Sequence, residues 1–287
     1  MASRVICGLF YSRPMRKINF KGKKVLITGA STGIGKALSV EFAKRGALLA
    51  LGSLPEEKKN LKTHAKELET SYNIKTWTFP IDLVSEGAAE NLYQQVKSDV
   101  GDIFALVNNA GTTAYGNFWE IPVEEHAKTL ELNFYVPLHL MHLFLQDMVK
   151  GGEGMIINIS SVSALQPTPF QSAYGATKAG LQSLSEAVRA ELKKSGVTVC
   201  TLNPPFIDTP LLKKKKYPED LRFYSISGIK STEWLAQKAL KAFEKRKFLY
   251  VPHPWDAFMH QGLVKLAPRR LVNFFSCFFM QGSKKKN

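Results

Sequence analysis

From Lys24 onward, short runs of consecutive apolar residues alternate with stretches whose apolar positions recur every three or four residues. Val25-Leu26-Ile27-Thr28 reads as a strand covered on both faces, and Gly33 to Arg45 follows with Ile34, Leu38 and Phe42 on one helical face. The same pattern predicts strands at Leu48–Leu51, Thr76–Ile81, Ile103–Asn108, Met155–Ile159, Val197–Leu202 and Phe248–Val251. Between them it predicts helices over Pro55–Ser71, Glu86–Val100, Val123–Lys150, Ala173–Lys194 and Thr232–Lys245, with a charged, proline-containing insertion from Thr209 to Ser231. Strands buried on both faces and separated by helices imply an α/β fold, a doubly wound parallel sheet. One domain over residues 23–252 is expected, with a basic N-terminal extension (1–22) and an apolar and basic C-terminal tail (253–287). Sheets of this kind bind ligands beyond the carboxyl ends of their strands, so the chemistry should sit there.

Composition narrows the class. In 287 residues, 45% are apolar and 11% aromatic, enough to bury a sizeable core and to exclude a disordered or repeat-fibrous chain. Cys7, Cys200 and Cys277 are odd in number and far apart, which argues against a disulfide framework and for a reducing compartment. The six histidines share no ligand spacing, so no metal is expected. The net charge of +15 is concentrated at the ends: residues 1–24 carry seven basic side chains and residues 265–287 six, with no acid in either. The nearly neutral body argues against a nucleic-acid cleft, while basic ends suit an anionic surface or simple solubility. No apolar run of 18 residues appears, and Val5 to Tyr11, broken by Gly8 and followed by Arg13, makes a poor signal peptide. The expectation is a cytoplasmic protein.

Three motifs follow strands. Thr28-Gly29-Ala30-Ser31-Thr32-Gly33-Ile34-Gly35 joins the first strand to a helix, and glycines there let a phosphate approach the free N–H groups of the helix start. Asp82-Leu83 ends the third strand and offers a carboxylate to an adenine amino group, and Asn108-Asn109-Ala110-Gly111 ends the fourth with small residues a cofactor could lie against. The sharpest signal is Ser161, Tyr174 and Lys178. Tyr174 and Lys178 are four apart and share a helical face. A free tyrosine titrates at about 10, and a neighbouring ammonium should lower that value toward useful acid–base chemistry. Ser161, after the fifth strand, can donate to a carbonyl oxygen.

In this order and spacing, with Ser161 thirteen residues before Tyr174, these motifs resemble the short-chain dehydrogenase/reductase family over about residues 20–250. The resemblance implies hydride transfer between a nicotinamide and a carbonyl or secondary alcohol. Tyr174 would exchange the proton, Ser161 would hold the substrate oxygen, and Lys178 would bind the nicotinamide ribose and tune Tyr174. Asn133 matches the family's fourth catalytic residue. Cofactor contacts would come from Gly29, Ser31, Thr32, Gly33, Ile34, Gly35, Ser53, Asp82, Leu83, Asn109, Ala110, Gly111, Tyr174, Lys178, Pro204, Ile207 and Thr209. Family members usually pair through two long helices, here 123–150 and 173–194, so a homodimer using Leu181, Leu184 and Val188 is expected.

Two departures bear on specificity. The second strand ends Leu51-Gly52-Ser53-Leu54, without the acid that accepts from the ribose hydroxyls of NAD, which favours NADP(H) over NAD(H). Pro204-Pro205 stands where the family usually has Pro-Gly and is similar to the 3-ketodihydrosphingosine reductase branch. The leading reading is therefore a ketone/secondary alcohol oxidoreductase for a lipophilic, lipid- or steroid-like substrate. A reductase of 3-oxoacyl thioesters and a noncatalytic dinucleotide-binding module are the alternatives. Lys213 to Lys216 reads as a solvated run or the flank of a membrane-facing pocket mouth. The tail segment Leu271–Met280 would form a helix of about 15 Å, too short to span a bilayer but able to lie in its interface between basic flanks. Packing of its phenylalanines over the substrate pocket or a partner subunit is the competing expectation. Lys284-Lys285-Lys286-Asn287 is similar to a dilysine retrieval signal, which matters only in a cell with an endoplasmic reticulum.

Overall fold

The computed structural model describes residues 17–214, 217, 218, 221, 222, 224 and 228–282. Most of the basic N-terminal extension, Lys215 and Lys216, and the terminal lysines 284–286 lie outside the described residues, as do the side chains of Lys213 and Lys214. Seven strands form one sheet in the order β3-β2-β1-β4-β5-β6-β7: β1 Lys24–Ile27, β2 Leu48–Ser53, β3 Thr76–Pro80, β4 Ala105–Asn108, β5 Gly154–Ile159, β6 Val197–Leu202 and β7 Leu249–Tyr250. Every pairing is parallel. Strand order reverses between β1 and β4, which opens a crevice at their carboxyl ends.

Alternate residues of each strand feed two cores. Val25, Ile27, Leu49, Leu51, Val107 and Ile157 point to one face, where they meet Leu38 and Phe42 of α1 (Gly33–Ala43), Leu61 and Leu68 of α2 (Lys58–Tyr72), and a later helix. Leu26, Ala50, Leu106, Ile156 and Val199 point to the other, against Leu92 and Val96 of α3 (Ala88–Asp99). Continuous apolar runs in the sequence thus reflect burial on both faces rather than a single-sided sheet.

The expected long helix 123–150 is three pieces. α4 (Val123–Leu130) runs into one π turn, Glu131–Tyr135, and then α5 (Val136–Gly151). The Val136 amide reaches back five residues to the Glu131 carbonyl, and Pro137 at the start of α5 has no amide to restore the regular ladder. The extra residue in that turn holds Asn133 fully buried. α6 spans Ser172–Glu191, three residues short of its expected end, and the chain turns away at Lys194, which has φ 74°. Leu181 is a correction to the expected outward face of α6: it is 1% exposed, packed inward one turn from Lys178.

After β6 come α7 (Pro210–Lys214), α8 (Thr232–Glu244), which supplies Leu235, Leu240 and Phe243 to the first core, and β7. The tail is a helical hairpin, residues 254–266 followed by α9 (Arg269–Phe279) across Ala267-Pro268. One face of its second arm packs on the body and the other is open. Val272, Ser276 and Met280 face the body and are buried, whereas Leu266, Leu271, Phe274, Phe275 and Phe278 are exposed. Leu221 bridges Gly282 and the Arg222 amide donates to the Gln281 carbonyl at 3.2 Å, joining the end of the tail to the insertion after β6. Among the described residues, no helix is long and apolar enough to cross a membrane and no His/Cys/Asp/Glu cluster could hold a metal.

Candidate active site

β1 ends in a turn that only glycine permits. Gly29 has φ 66°, and a Cβ on Gly35 would lie 2.1 Å from the Gly29 carbonyl oxygen. Gly33 has φ 55° and sits against the Thr209 methyl. The Thr32 side chain makes no capping hydrogen bond at the start of α1, and the first turn carries no acid. Its free amides are therefore open to a phosphate, with nothing to repel it. Ser31 and Ile34 belong to the same turn.

The neighbouring strand ends lock this turn in place. The Thr28 hydroxyl accepts from the Asn109 and Ala110 amides, both at 3.0 Å, and the Asn109 side chain donates to the Thr28 and Gly29 carbonyls at 2.9 and 3.0 Å. Asn109 is thus spent largely on the turn itself. Beyond it, a Cβ on Gly111 would come within 3.0 Å of the Asn133 oxygen and 3.8 Å of the Lys178 ammonium. Asn133 clasps the Thr112 backbone, accepting from its amide at 2.9 Å and donating to its carbonyl at 2.8 Å.

Ser161, Tyr174 and Lys178 converge where β5 meets α6. The Ser161 and Tyr174 hydroxyls are hydrogen-bonded. The Asn203 amide, after β6, holds the Ser161 carbonyl at 3.0 Å. The Lys178 ammonium donates to the Ile159 carbonyl at 2.8 Å and lies 5.7 Å from the centre of the Tyr174 ring. The expected lowering of the Tyr174 phenol is not found: burial pushes it above its ordinary value, opposed by the bond to Ser161. Burial also pulls Lys178 down, from 10.5 to about 8. A protonated Tyr174 suits proton donation to a carbonyl oxygen.

One pocket gathers Ile34, Asn109, Gly111, Ser161, Tyr174, Lys178, Pro204, Ile207 and Thr209. The remaining expected residues lie along the carboxyl edge of the sheet. Ser53, buried at the end of β2, donates to the Leu54 carbonyl at 3.0 Å; Asp82 accepts from the Val84 amide at 3.3 Å; Leu83 is buried in the second core. A cradle of glycines and free amides leading from the end of β1 to Lys178 fits a dinucleotide.

Sequence reasoning missed the opposite wall. Gln171, one helical turn before Tyr174, donates to the Thr113 hydroxyl at 3.0 Å and to the Tyr217 hydroxyl. Tyr217 stacks on Tyr115 at 5.0 Å and meets the Phe206 edge at 6.4 Å, while Phe170 packs on Tyr115 with a left-handed φ of 64°. The position of Gln171 before the Tyr-x-x-x-Lys pair was a usable signal. Nothing local marks Tyr217, which arrives from the insertion after β6.

The short chain dehydrogenase family model matches residues 23–220. The chain is 31% identical over 231 residues to a D-beta-hydroxybutyrate dehydrogenase of Rhizobium meliloti, covering 80% of this chain and 87% of the relative. It is 30% identical over 235 residues to a fatty acyl-CoA reductase of Mycobacterium tuberculosis, covering 80% and 78%. A solved short-chain dehydrogenase from Sphingobium yanoikuyae in complex with NADPH matches with a TM-score of 0.74 at 29% identity, over 86% of this chain and 97% of that one. The chain belongs to the short-chain dehydrogenase family. It is an NAD(P)-dependent oxidoreductase that acts on an alcohol/ketone pair.

The buried lysine gives a pH prediction. Unfolded, Lys178 titrates near 10.5; folded, at about 8. Between those values the unfolded chain holds a proton that the folded chain has lost, so raising the pH through that window relieves the cost of burying the ammonium. Lys178→Met should raise the Tm of the nucleotide-free protein at pH 7, by an amount worth about 1–3 kcal/mol, and the gap should close toward pH 10. A gap that stays constant across this range in a thermal melt series would show that the lysine remains charged in the fold.

Proposed function

We propose that the protein reduces a lipophilic ketone to a secondary alcohol with NADPH, reversibly, within the domain 23–252. When bound, the nicotinamide supplies the hydride to the carbonyl carbon. Tyr174 passes its phenolic proton to the carbonyl oxygen, and Ser161 donates a hydrogen bond to that oxygen as its charge grows. Lys178, mostly protonated at neutral pH, holds the ribose, and Asn133 positions a water in the proton relay. The glycine turn, with Ser31 and Thr32, holds the pyrophosphate; Asp82 and Leu83 bound the adenine, and Thr209 with Pro204 and Ile207 bounds the nicotinamide. Ser53, in place of an acid at the end of β2, favours the 2′-phosphate of NADP(H).

The observation that carries the substrate class is the aromatic wall. Tyr115, Phe170, Phe206 and Tyr217 face the catalytic pocket or back its lining, and among the described residues no lysine or arginine other than Lys178 lines it. Such a wall favours an apolar body around the reacting carbonyl over a sugar. The name of the fatty acyl-CoA reductase relative lends the same reading some support.

Incubation with NADPH and a panel of lipid ketones, followed at 340 nm, tests this directly. Tyr174→Phe should lower turnover by about 10²–10⁴-fold while nucleotide still binds. NADPH should exceed NADH in kcat/KM, and Ser53→Asp should reverse the order by repelling the 2′-phosphate. Near-normal turnover in Tyr174→Phe, or a wild-type preference for NADH, refutes the corresponding assignment.

The outer faces of α5 and α6 present Leu138, Leu145, Val149, Leu184 and Val188 around a shallow groove of about 480 Å³. We propose that a second copy of the chain covers it. Light scattering should give a dimer, and Val188→Glu a monomer; a monomeric wild type at micromolar concentration excludes the pairing.

The tail is proposed to rest on an anionic membrane surface. Leu266 is 86% exposed and Phe274 64%, Lys265, Arg269 and Arg270 flank them, and no acid follows Asp256. Each basic group near anionic lipid contributes about 1 kcal/mol. Full-length protein should float with phosphatidylserine vesicles at low salt, and a variant carrying Leu266→Glu and Phe274→Glu should not. Equal behaviour of the two assigns the hairpin to the fold alone.

A further inference from the structure

The helical hairpin of the tail forms a second, half-open cavity, apart from the catalytic pocket, of about 490 Å³. That lies within the range of about 300–1,000 Å³ usual for small-molecule sites. Trp255, Met259 and Leu263 line it from the first arm, and Leu271, Phe275 and Met280 from the second. Among the described residues its few polar contributors are Gln166, Ser276 and Asp256, the last of these paired with His253 at 3.2 Å, and no basic side chain lines it. A phosphorylated or carboxylate headgroup would find no counter-charge there, so the chemistry selects an uncharged apolar occupant. The first arm, residues 254–266, runs about 20 Å, long enough to accompany an extended hydrocarbon chain rather than a compact ring.

The cavity adjoins the catalytic pocket through shared elements. Gln166 at its end belongs to the loop that also places Ser163 and Gln171 in the catalytic pocket. Met280 lines the cavity, and its carbonyl accepts from the Tyr115 hydroxyl; the Tyr115 ring stacks on Tyr217, which lines the catalytic pocket. Tyr115 and Tyr217 thus link the lining of one space to that of the other.

We propose that this cavity receives the unbranched hydrocarbon chain of the substrate, making the tail hairpin the element that reads chain length. The inference rests on the lipophilic ketone reading above and adds where the chain goes. Burying each additional methylene should raise kcat/KM about fourfold, so selectivity should climb with chain length until the groove is full.

The test has two arms. In the first, NADPH oxidation is followed with a series from 2-butanone to 2-tetradecanone. In the second, binding of methyl cis-parinarate, an uncharged fluorescent polyene ester, is titrated without nucleotide. Two full-length variants are compared with wild type: Val264→Trp, which fills the groove, and Leu263→Asn, a half-exposed position whose change adds polarity without bulk. The wild-type ratio of kcat/KM for 2-dodecanone over 2-butanone should exceed that of either variant by about tenfold or more, and parinarate should bind wild type correspondingly tighter. Parinarate binding that survives both substitutions overturns the proposal. So does a wild-type enzyme that reduces the ketones without regard to length. If no ketone of any length is turned over while parinarate binding is lost in both variants, the apolar site stands and the ketone reading falls instead.

Discussion

The carboxyl ends of β1 and β4, where strand order reverses, are held together by Thr28 and Asn109. Strands that part at this point would leave two backbone amides and two carbonyls facing an open crevice without partners. The threonine hydroxyl takes both amides and the asparagine side chain takes both carbonyls. With the turn fixed, Gly35 can approach the Gly29 carbonyl closer than any side chain would allow, and α1 starts where its amides face the crevice. From the same anchor the chain runs to Gly111, which sets the distance to Asn133 and Lys178. The catalytic groups thus take their positions from a backbone clamp at the centre of the sheet, beside the strand that carries Ser161.

Burial has opposite effects on the two groups that exchange protons or charge here. It makes the Tyr174 phenol a weaker acid and the Lys178 ammonium a stronger one, so each is displaced toward its neutral form. The π turn around Asn133 serves the same enclosed region: the additional residue there aims an amide at the Thr112 backbone instead of at the helix ladder.

Much of this was legible in the sequence because parallel strands leave continuous apolar runs and the family motifs fall immediately after them. The sheet, the glycine turn and the positions of Ser161, Tyr174 and Lys178 all follow from that regularity. What was not legible depends on contacts between distant segments. A π turn has no residue signature beyond Pro137 four positions downstream of Asn133. Leu181 looked outward because periodicity alone cannot say which of two apolar stripes on α6 meets the sheet. The direction of the Tyr174 shift depends on desolvation, whereas the spacing of a lysine reports only nearness of charge. Tyr217 comes from a loop of no regular pattern, and its partners Thr113 and Gln171 are more than forty residues upstream.

The hydrogen bond from Tyr115 to Met280 spans 165 residues of sequence, and the bridge from Leu221 to Gly282 ties the pocket insertion to the same late segment. Chains emerge from synthesis amino end first and tend to fold as they emerge. Once Asn203 has appeared, the clamp, the glycine turn and the Ser161–Tyr174–Lys178 cluster have all their partners. The pocket wall does not, because its last support is encoded in the closing few residues. The partners of the reaction centre are thus all encoded before the last partners of the pocket wall.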